Sequence, residues 1–357
     1  MRELFESTIE RLLRDISTPE YIRAAESGIW SGDLWGALVD NGILLAGAPE
    51  AVGGSEANWS ELFVIARAAG QFAAPVPLVE MLLGNWLLER AGLGACSEVL
   101  TIGVDCDLRL DGNKISGEIR QVPWGRHAEL IVVVAGLGGE TKVLLLETAA
   151  ADKVLEADNI AGEPRDTLYF DKANIMASAP LPDGIARSVL MTGGAMLRSA
   201  QMAGALTALM ELTSDYAAER KQFGRPIAAF QAIQQQLAVL AEQTAAANIA
   251  AEAAFVESDD NLASFVIAAA KISSAEAASL GAAIGHSVHG AIGFTQEYKL
   301  HLLTRRLWAW RGEYGSSTFW SKLLGAHVCA AGAESFWPTL THAHLQELIV
   351  PTQGSYL

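Results

Sequence analysis

Residues 219–240 read ERKQFGRPIAAFQAIQQQLAVL. Phe223, Ile227, Phe230, Ile233, Leu237 and Leu240 recur at spacings of three and four, the period at which one helix face is buried. Gly224 and Pro226 interrupt that pattern, so the stretch predicts a helix end, a turn and a new helix. Packing accounts for the apolar residues and leaves the others unexplained. Arg220, Lys221 and Arg225 crowd around the break, and Gln231 stands near the start of the next helix. A guanidinium presents parallel donors that suit a diphosphate. The bland alternative for such a cluster is a solvated helix surface.

Outward from this stretch the chain has three textures, 1–98, 99–181 and 182–357. The first is helical in pattern: Trp35, Leu38, Val39 and Ile43 repeat at helical spacing, and Gly42 marks a stop. After a turn-rich piece, Ser60 is placed to cap a further helix with Leu62, Ile65, Ala66 and Ala69 on one face. The second texture holds short β-rich runs, AELIVVVAG, KVLLLE and DTLYFD, and the hairpin signal LRLDGNKISGEI. Such strands predict a small barrel or sandwich, taken here as a β-barrel domain. No GxGxxG opens a helix after a strand, which argues against a dinucleotide-binding βαβ unit. The third texture predicts three long helices, ending near Phe223, spanning Phe230–Val256 and spanning Leu262–His289, joined as an antiparallel four-helix bundle. The fold class is α+β and multidomain.

A chain of 357 residues is long for one core. Its net charge of −16 disfavours nucleic acid, so a phosphate-bearing ligand must find local cations. Arg305, Arg306 and Arg311 form a second such cluster. Cys96, Cys106 and Cys329 lie far apart without a CxxC, so no disulfide framework or metal site is indicated, and a reducing cytoplasm is expected. The opening MRELFESTIERLLRD has no signal-peptide character. No uninterrupted apolar run reaches membrane-spanning length.

The pattern RKQFGRPIAAFQAIQ resembles the signature of the acyl-CoA dehydrogenase family, as does HGAIGFTQEYKLHLLTRR from His289. LWGALVDNGILLAGAPEAVGG resembles the family's N-terminal helix and its PE-x-x-GG turn. Order and spacing agree over nearly the whole chain. The resemblance implies a flavoprotein whose FAD lies between the β domain and the bundle, completed by a neighbouring subunit. It implies that Arg220 meets the FAD pyrophosphate, Phe223 packs on the cofactor and Gln231 hydrogen-bonds it. Gly290 and Gly293 would let backbone approach the dinucleotide, with Ser287 where the family usually has Gln. Ser316 and Thr318 would contact the adenylate portion. Family members take an α-proton from an acyl-CoA thioester while the β-hydrogen leaves as hydride to flavin. An electron-transferring flavoprotein is the implied acceptor.

Departures from the family are equally informative. Its usual catalytic glutamate position falls on Tyr314 in RGEYGSSTFW, and the alternative position, 26 residues before Arg220, is Gly194. Glu313 is the adjacent carboxylate and the candidate base. The loop that helps hold flavin is missing before LRLDG, and VPWGRHAEL lacks the usual aromatic-x-Thr pair. Three functions remain open at this point. One is an FAD-dependent acyl-CoA dehydrogenase using Glu313. Another is a non-catalytic partner, in a hetero-oligomer, that completes the FAD site of a paralogous chain. The last keeps the fold for oxygen chemistry.

Overall fold

The structure is a computed structural model describing residues 1–137, 140–258, 261–343 and 346–351. Five helices open the chain: α1 (Arg2–Ile16), α2 (Pro19–Glu26), α3 (Gly32–Asp40), α4 (Trp59–Gln71) and α5 (Leu78–Arg90). Thr18 caps α2 and Pro19 fills its first turn, where a missing N–H costs nothing. The cap of α4 is Asn58, not the expected Ser60. The Asn58 side chain accepts from Glu61 N at 3.0 Å, and the Glu61 carboxylate returns to Asn58 N at 3.2 Å. That reciprocal pair satisfies two orphan donors, which a hydroxyl inside the helix could not do.

Eight strands follow: β1 (Leu100–Gly103), β2 (Asp105–Asp111), β3 (Lys114–Pro123), β4 (Leu130–Leu137), β5 (Glu140–Glu147), β6 (Lys153–Leu155), β7 (Arg165–Asn174) and β8 (Ala177–Pro180). They form two four-stranded sheets, ordered β1-β4-β5-β8 and β2-β3-β7-β6. The expected barrel does not close. Edge strands β6 and β8 have three and four residues, and β8 ends in Pro180, so among the described residues no continuous ladder joins the sheets. Ile115, Ile119, Ile131, Val133, Leu144, Leu146 and Leu168 fill the space between them.

The rest is helical: α6 (Val189–Glu219), α7 (Gln231–Val256), α8 (Ser264–His289), α9 (Leu300–Trp310), α10 (Ser317–Ala331) and α11 (Phe336–Thr341). Between α6 and α7 lies a minimal hairpin, β9 (Lys221–Gln222) and β10 (Arg225–Pro226). Gly70 of α4 and Gly204 of α6 let those helices touch backbone to backbone. A Cβ on either would fall 1.9 Å from a carbonyl oxygen of the other helix. Among the described residues, Ser264–Phe294 is long and apolar enough by composition to cross a membrane, yet 61% of that window is buried inside the protein. It is a core helix of the bundle.

Candidate functional site

The hairpin after α6 shapes the opening motif. Gln222 pairs with Arg225, leaving Phe223-Gly224 as a two-residue loop with φ of 51° and 81°. Positive φ at both central residues suits a type I′ turn, which matches the strand twist. A bulky side chain in that region is strained, a feature concentrated where function over-determines geometry. Phe223 is 93% exposed, held on one side by the edge of Phe230, 6.1 Å away. The Arg225 guanidinium lies 4.2 Å over the Phe230 ring. Arg220 and Gln231 are exposed, and neither side chain has a hydrogen bond or ion pair among the described residues.

The end of α8 joins this group. Ser287 Oγ accepts from Gln236 Nε2 at 3.2 Å, and Tyr216 near the end of α6 donates to His289 O at 3.3 Å. Gly290 is open and has φ 60° with ψ −139°, a conformation in effect reserved for glycine. Gly293 is glycine for an internal reason: a Cβ there would meet Leu300 at 2.8 Å and His289 at 3.1 Å. Arg220, Phe223, Gln231, Ser287 and Gly290 therefore share one end of the bundle.

Glu313, Ser316 and Thr318 do not join them. They lie at the other end, beside a cleft of about 460 Å³ lined by Ile102, Arg120, Pro123, Arg165, Met191, Glu313 and Tyr314 among others. Met191 and Arg220 are 29 residues apart along the start, length and end of α6, which at the α-helical rise is about 44 Å. Ser316 Oγ is occupied capping α10, accepting from Phe319 N at 3.2 Å, and Thr318 is exposed. One copy of the chain cannot bring both ends to one dinucleotide.

In the cleft, Glu313 is fully engaged. Its Oε1 accepts from Arg165 Nε at 2.9 Å and Asn159 Nδ2 at 2.9 Å. Its Oε2 accepts from Arg165 Nη2 at 3.0 Å and Arg198 Nε at 2.8 Å. Burial alone would raise the Glu313 pKa, but Arg165 and Arg198 outweigh it and hold the carboxyl well below the usual range. Such a carboxylate is a weak base. The pairing continues in both directions, Arg198 to buried Glu80 at 2.6 Å and Arg165 to buried Glu163 at 3.0 Å. Arg306 then bridges Glu163 at 3.3 Å and Glu26 at 2.9 Å, so the ladder touches all three regions of the chain.

Tyr314 occupies the remaining space. It has φ 53°, and its ring covers Gly194, where a Cβ would fall 2.4 Å from the ring. The two positions that could carry the family's glutamate, far apart in sequence, are thus one place in space. Burial pushes the Tyr314 phenol above its ordinary pKa, and its buried hydroxyl has no hydrogen-bond partner among the described residues. Lys271, fully buried in α8, fastens this segment by donating to Trp310 O at 3.3 Å, Arg311 O at 2.8 Å and Gly315 O at 2.9 Å. The strand end that lacks the aromatic-x-Thr pair is also committed internally. Thr101 Oγ1 donates to Pro123 O at 2.6 Å, and Trp124 N to Pro164 O at 3.0 Å.

Arg165, Arg198, Asn159 and Lys271 went unnoticed in the sequence. A signal exists for two of them: Arg198 and Lys271 are single cations inside apolar, alanine-rich helical runs. A buried cation in such a run needs a partner.

Residues 185–318 match the model of the acyl-CoA dehydrogenase C-terminal domain. Acyl-CoA dehydrogenase IpdE2 of Mycobacterium tuberculosis is 28% identical over 317 residues, covering 85% of this chain and 90% of that protein. FadE27 of the same organism is 26% identical, over 82% and 87% of the two chains. Among solved structures, the ChsE4–ChsE5 complex of M. tuberculosis superposes with a TM-score of 0.84 at 24% identity, covering 93% and 98%. Butyryl-CoA dehydrogenase of Megasphaera elsdenii gives 0.80 at 16% identity, covering 92% and 98%. Residues 185–318 thus match the acyl-CoA dehydrogenase C-terminal domain, and the chain is similar over more than four-fifths of its length to acyl-CoA dehydrogenases, with Tyr314 and Gly194 at the two positions where the resemblance puts the glutamate.

Proposed function

We propose that this chain is a non-catalytic subunit of a hetero-oligomeric acyl-CoA dehydrogenase, completing the FAD site of a paralogous chain that carries the glutamate. The observation that carries this reading is the contrast between the two ends of α6. At one end, Glu313 is neutralised by two guanidiniums and Tyr314 fills the face of Gly194. At the other, Arg220 and Gln231 have no side-chain hydrogen bond or ion pair among the described residues and stand beside an exposed Phe223.

The free groups fit a flavin dinucleotide: a guanidinium for the diphosphate, an amide for polar edges and an aromatic ring on a fixed turn. When bound, FAD would supply the hydride acceptor. The part left to this chain is to bind and orient through Arg220, Gln231 and Phe223 and to exclude water. The exposed side of α7 supports a protein partner. Ala238, Val239, Ala241, Ala245, Ala246, Ile249 and Val256 are exposed along it with Glu242 as the acid among them, an apolar face that a lone chain leaves uncovered. The neighbours include a two-component complex, ChsE4–ChsE5, and a steroid acyl-CoA dehydrogenase, Tcur3481-Tcur3483, with a TM-score of 0.82 at 23% identity. A bulky acyl-CoA is the substrate class those names favour for the assembly, with an electron-transferring flavoprotein as acceptor.

The second reading keeps Glu313 as base because it lines the cleft. It requires the carboxylate to leave Arg165 and Arg198 before it can accept a proton. Production of the chain alone and together with a glutamate-bearing paralogue separates the two. Flavin content and anaerobic bleaching by acyl-CoA thioesters should appear only in the pair. A yellow homo-oligomer bleached by acyl-CoA on its own would overturn the partner reading.

A further inference from the structure

A groove of about 280 Å³ lies where α6 passes the junction of α1 and α2, the end of α4 and the start of α9. Ile22, Ala73, Ala208, Leu212, Leu302 and Leu303 give it an apolar lining. Here α4 closes on itself: Ala73 takes φ 49°, Ala73 N donates to Gly70 O at 3.2 Å and Ala74 N to Ala69 O at 2.9 Å. The next two carbonyls, Gln71 O and Phe72 O, accept no hydrogen bond among the described residues. Pro75 stands where the helical donor for Gln71 O would be and has no N–H. Gln71 and Phe72 both line the groove, so the negative pole of α4 is left open there.

Two further observations point to a ligand. Ser17 lines the same groove and is 9% exposed, and its buried hydroxyl has no hydrogen-bond partner among the described residues. A polar group so deeply placed is ordinarily satisfied. On the α6 wall, Glu211 and Asp215 stand one turn apart, and neither carboxylate has an ion pair or hydrogen bond among the described residues. Lys299 is the one cation among the lining residues. The groove is therefore apolar along its length and rich in acceptors without donors.

We propose that this groove binds a small aliphatic amine as its ammonium ion, with the chain on the apolar lining and the charge met by Ser17 Oγ, the end of α4, Glu211 and Asp215. An ammonium offers three donors and no acceptor, which matches an acceptor-rich wall. No cluster of three or more His, Cys, Asp or Glu among the described residues could hold a metal ion, so the cation is organic. The volume lies at the small end of ligand pockets and limits the occupant to a short chain. The proposal is independent of the flavin reading, because neither Arg220 nor Glu313 takes part. A lysine side chain of another protein shares the ammonium chemistry, and the test separates it from a free amine.

The purified protein, with whatever subunits it retains, is titrated by calorimetry at pH 7 and constant ionic strength. The probes are hexylamine, hexan-1-ol and Nα-acetyl-lysine amide. Saturable binding of hexylamine is expected below about 10 mM, with hexan-1-ol weaker by roughly tenfold and the lysine amide weaker than hexylamine. Glu211→Gln and Asp215→Asn should each weaken hexylamine binding about threefold, and Ser17→Ala about fivefold. Lys299→Gln should strengthen it by removing a repulsive charge. Ala208→Leu keeps every charge but fills the lining, so it should abolish binding while thermal unfolding reports a folded protein. Absence of saturation, hexan-1-ol binding as well as hexylamine, or a folded Glu211→Gln/Asp215→Asn protein that binds as the parent does would overturn the site. Tighter binding of the lysine amide would overturn the free amine in favour of a partner's lysine.

Discussion

Tyr314 and Gly194 share one volume: the phenol ring stands where any side chain at 194 would have to begin, 2.4 Å from the position of its Cβ. Gly194→Ala should therefore destabilise the protein by about 1–3 kcal/mol through overpacking. Tyr314→Gly in the same chain should recover part of that loss by opening the space. Urea unfolding of the two variants and their combination measures both effects. A Gly194→Ala protein as stable as the parent would show that the ring is not seated there.

The Glu313 carboxylate should make stability sensitive to acid. Its folded pKa lies well below the ordinary 4.5, so it contributes stability above that value and loses it as pH falls through the folded value. Between pH 6 and 3 the urea midpoint should drop, and Glu313→Gln should flatten part of that slope. An unchanged slope in Glu313→Gln would place the acid sensitivity elsewhere.

Removing one side of the ladder should cost more than removing an exposed pair. Arg198→Met leaves Glu80 and Glu313 facing each other with less compensation. Loss of about 3–5 kcal/mol is expected, as for other buried pairs broken from one side. Thermal unfolding provides the measurement, and a loss under about 1 kcal/mol, the range of surface pairs, would show that solvent screens the network.

Arg220 should behave in the opposite way. Its exposed guanidinium makes no hydrogen bond or ion pair among the described residues, so Arg220→Gln should leave the stability of the isolated chain within about 0.5 kcal/mol. In the assembled pair the same change should lower FAD retention by roughly tenfold or more. Flavin absorbance after gel filtration reads the second effect. Full flavin retention by Arg220→Gln would remove this residue from the cofactor site.

Lys271 should give the protein a second pH dependence. Burial pushes its pKa from 10.5 down to about 7, so above pH 7 the folded state binds fewer protons than the unfolded one. Stability should rise between about pH 7 and 10, by at most about 1.4 kcal/mol per pH unit. Lys271→Met should lower stability and abolish that rise. A rise that survives the substitution would assign it to another group.

The sequence by itself determined what depends on neighbours along the chain. The break at Gly224-Pro226, the helices on either side and the Gly112-Asn113 hairpin follow from local backbone preference and apolar period. The motifs around Arg220 and His289 were legible for the same reason, each contiguous and fixed in spacing. The open barrel was less so, because closure depends on whether the edges of two sheets meet. Only the tertiary structure decided the fate of the cleft. Glu313 meets Arg165 and Arg198 across 148 and 115 residues, and Tyr314 meets Gly194 across a comparable distance. Charge pairing and steric exclusion act through a few ångströms of space, and nothing in residue order states which distant side chains will share them.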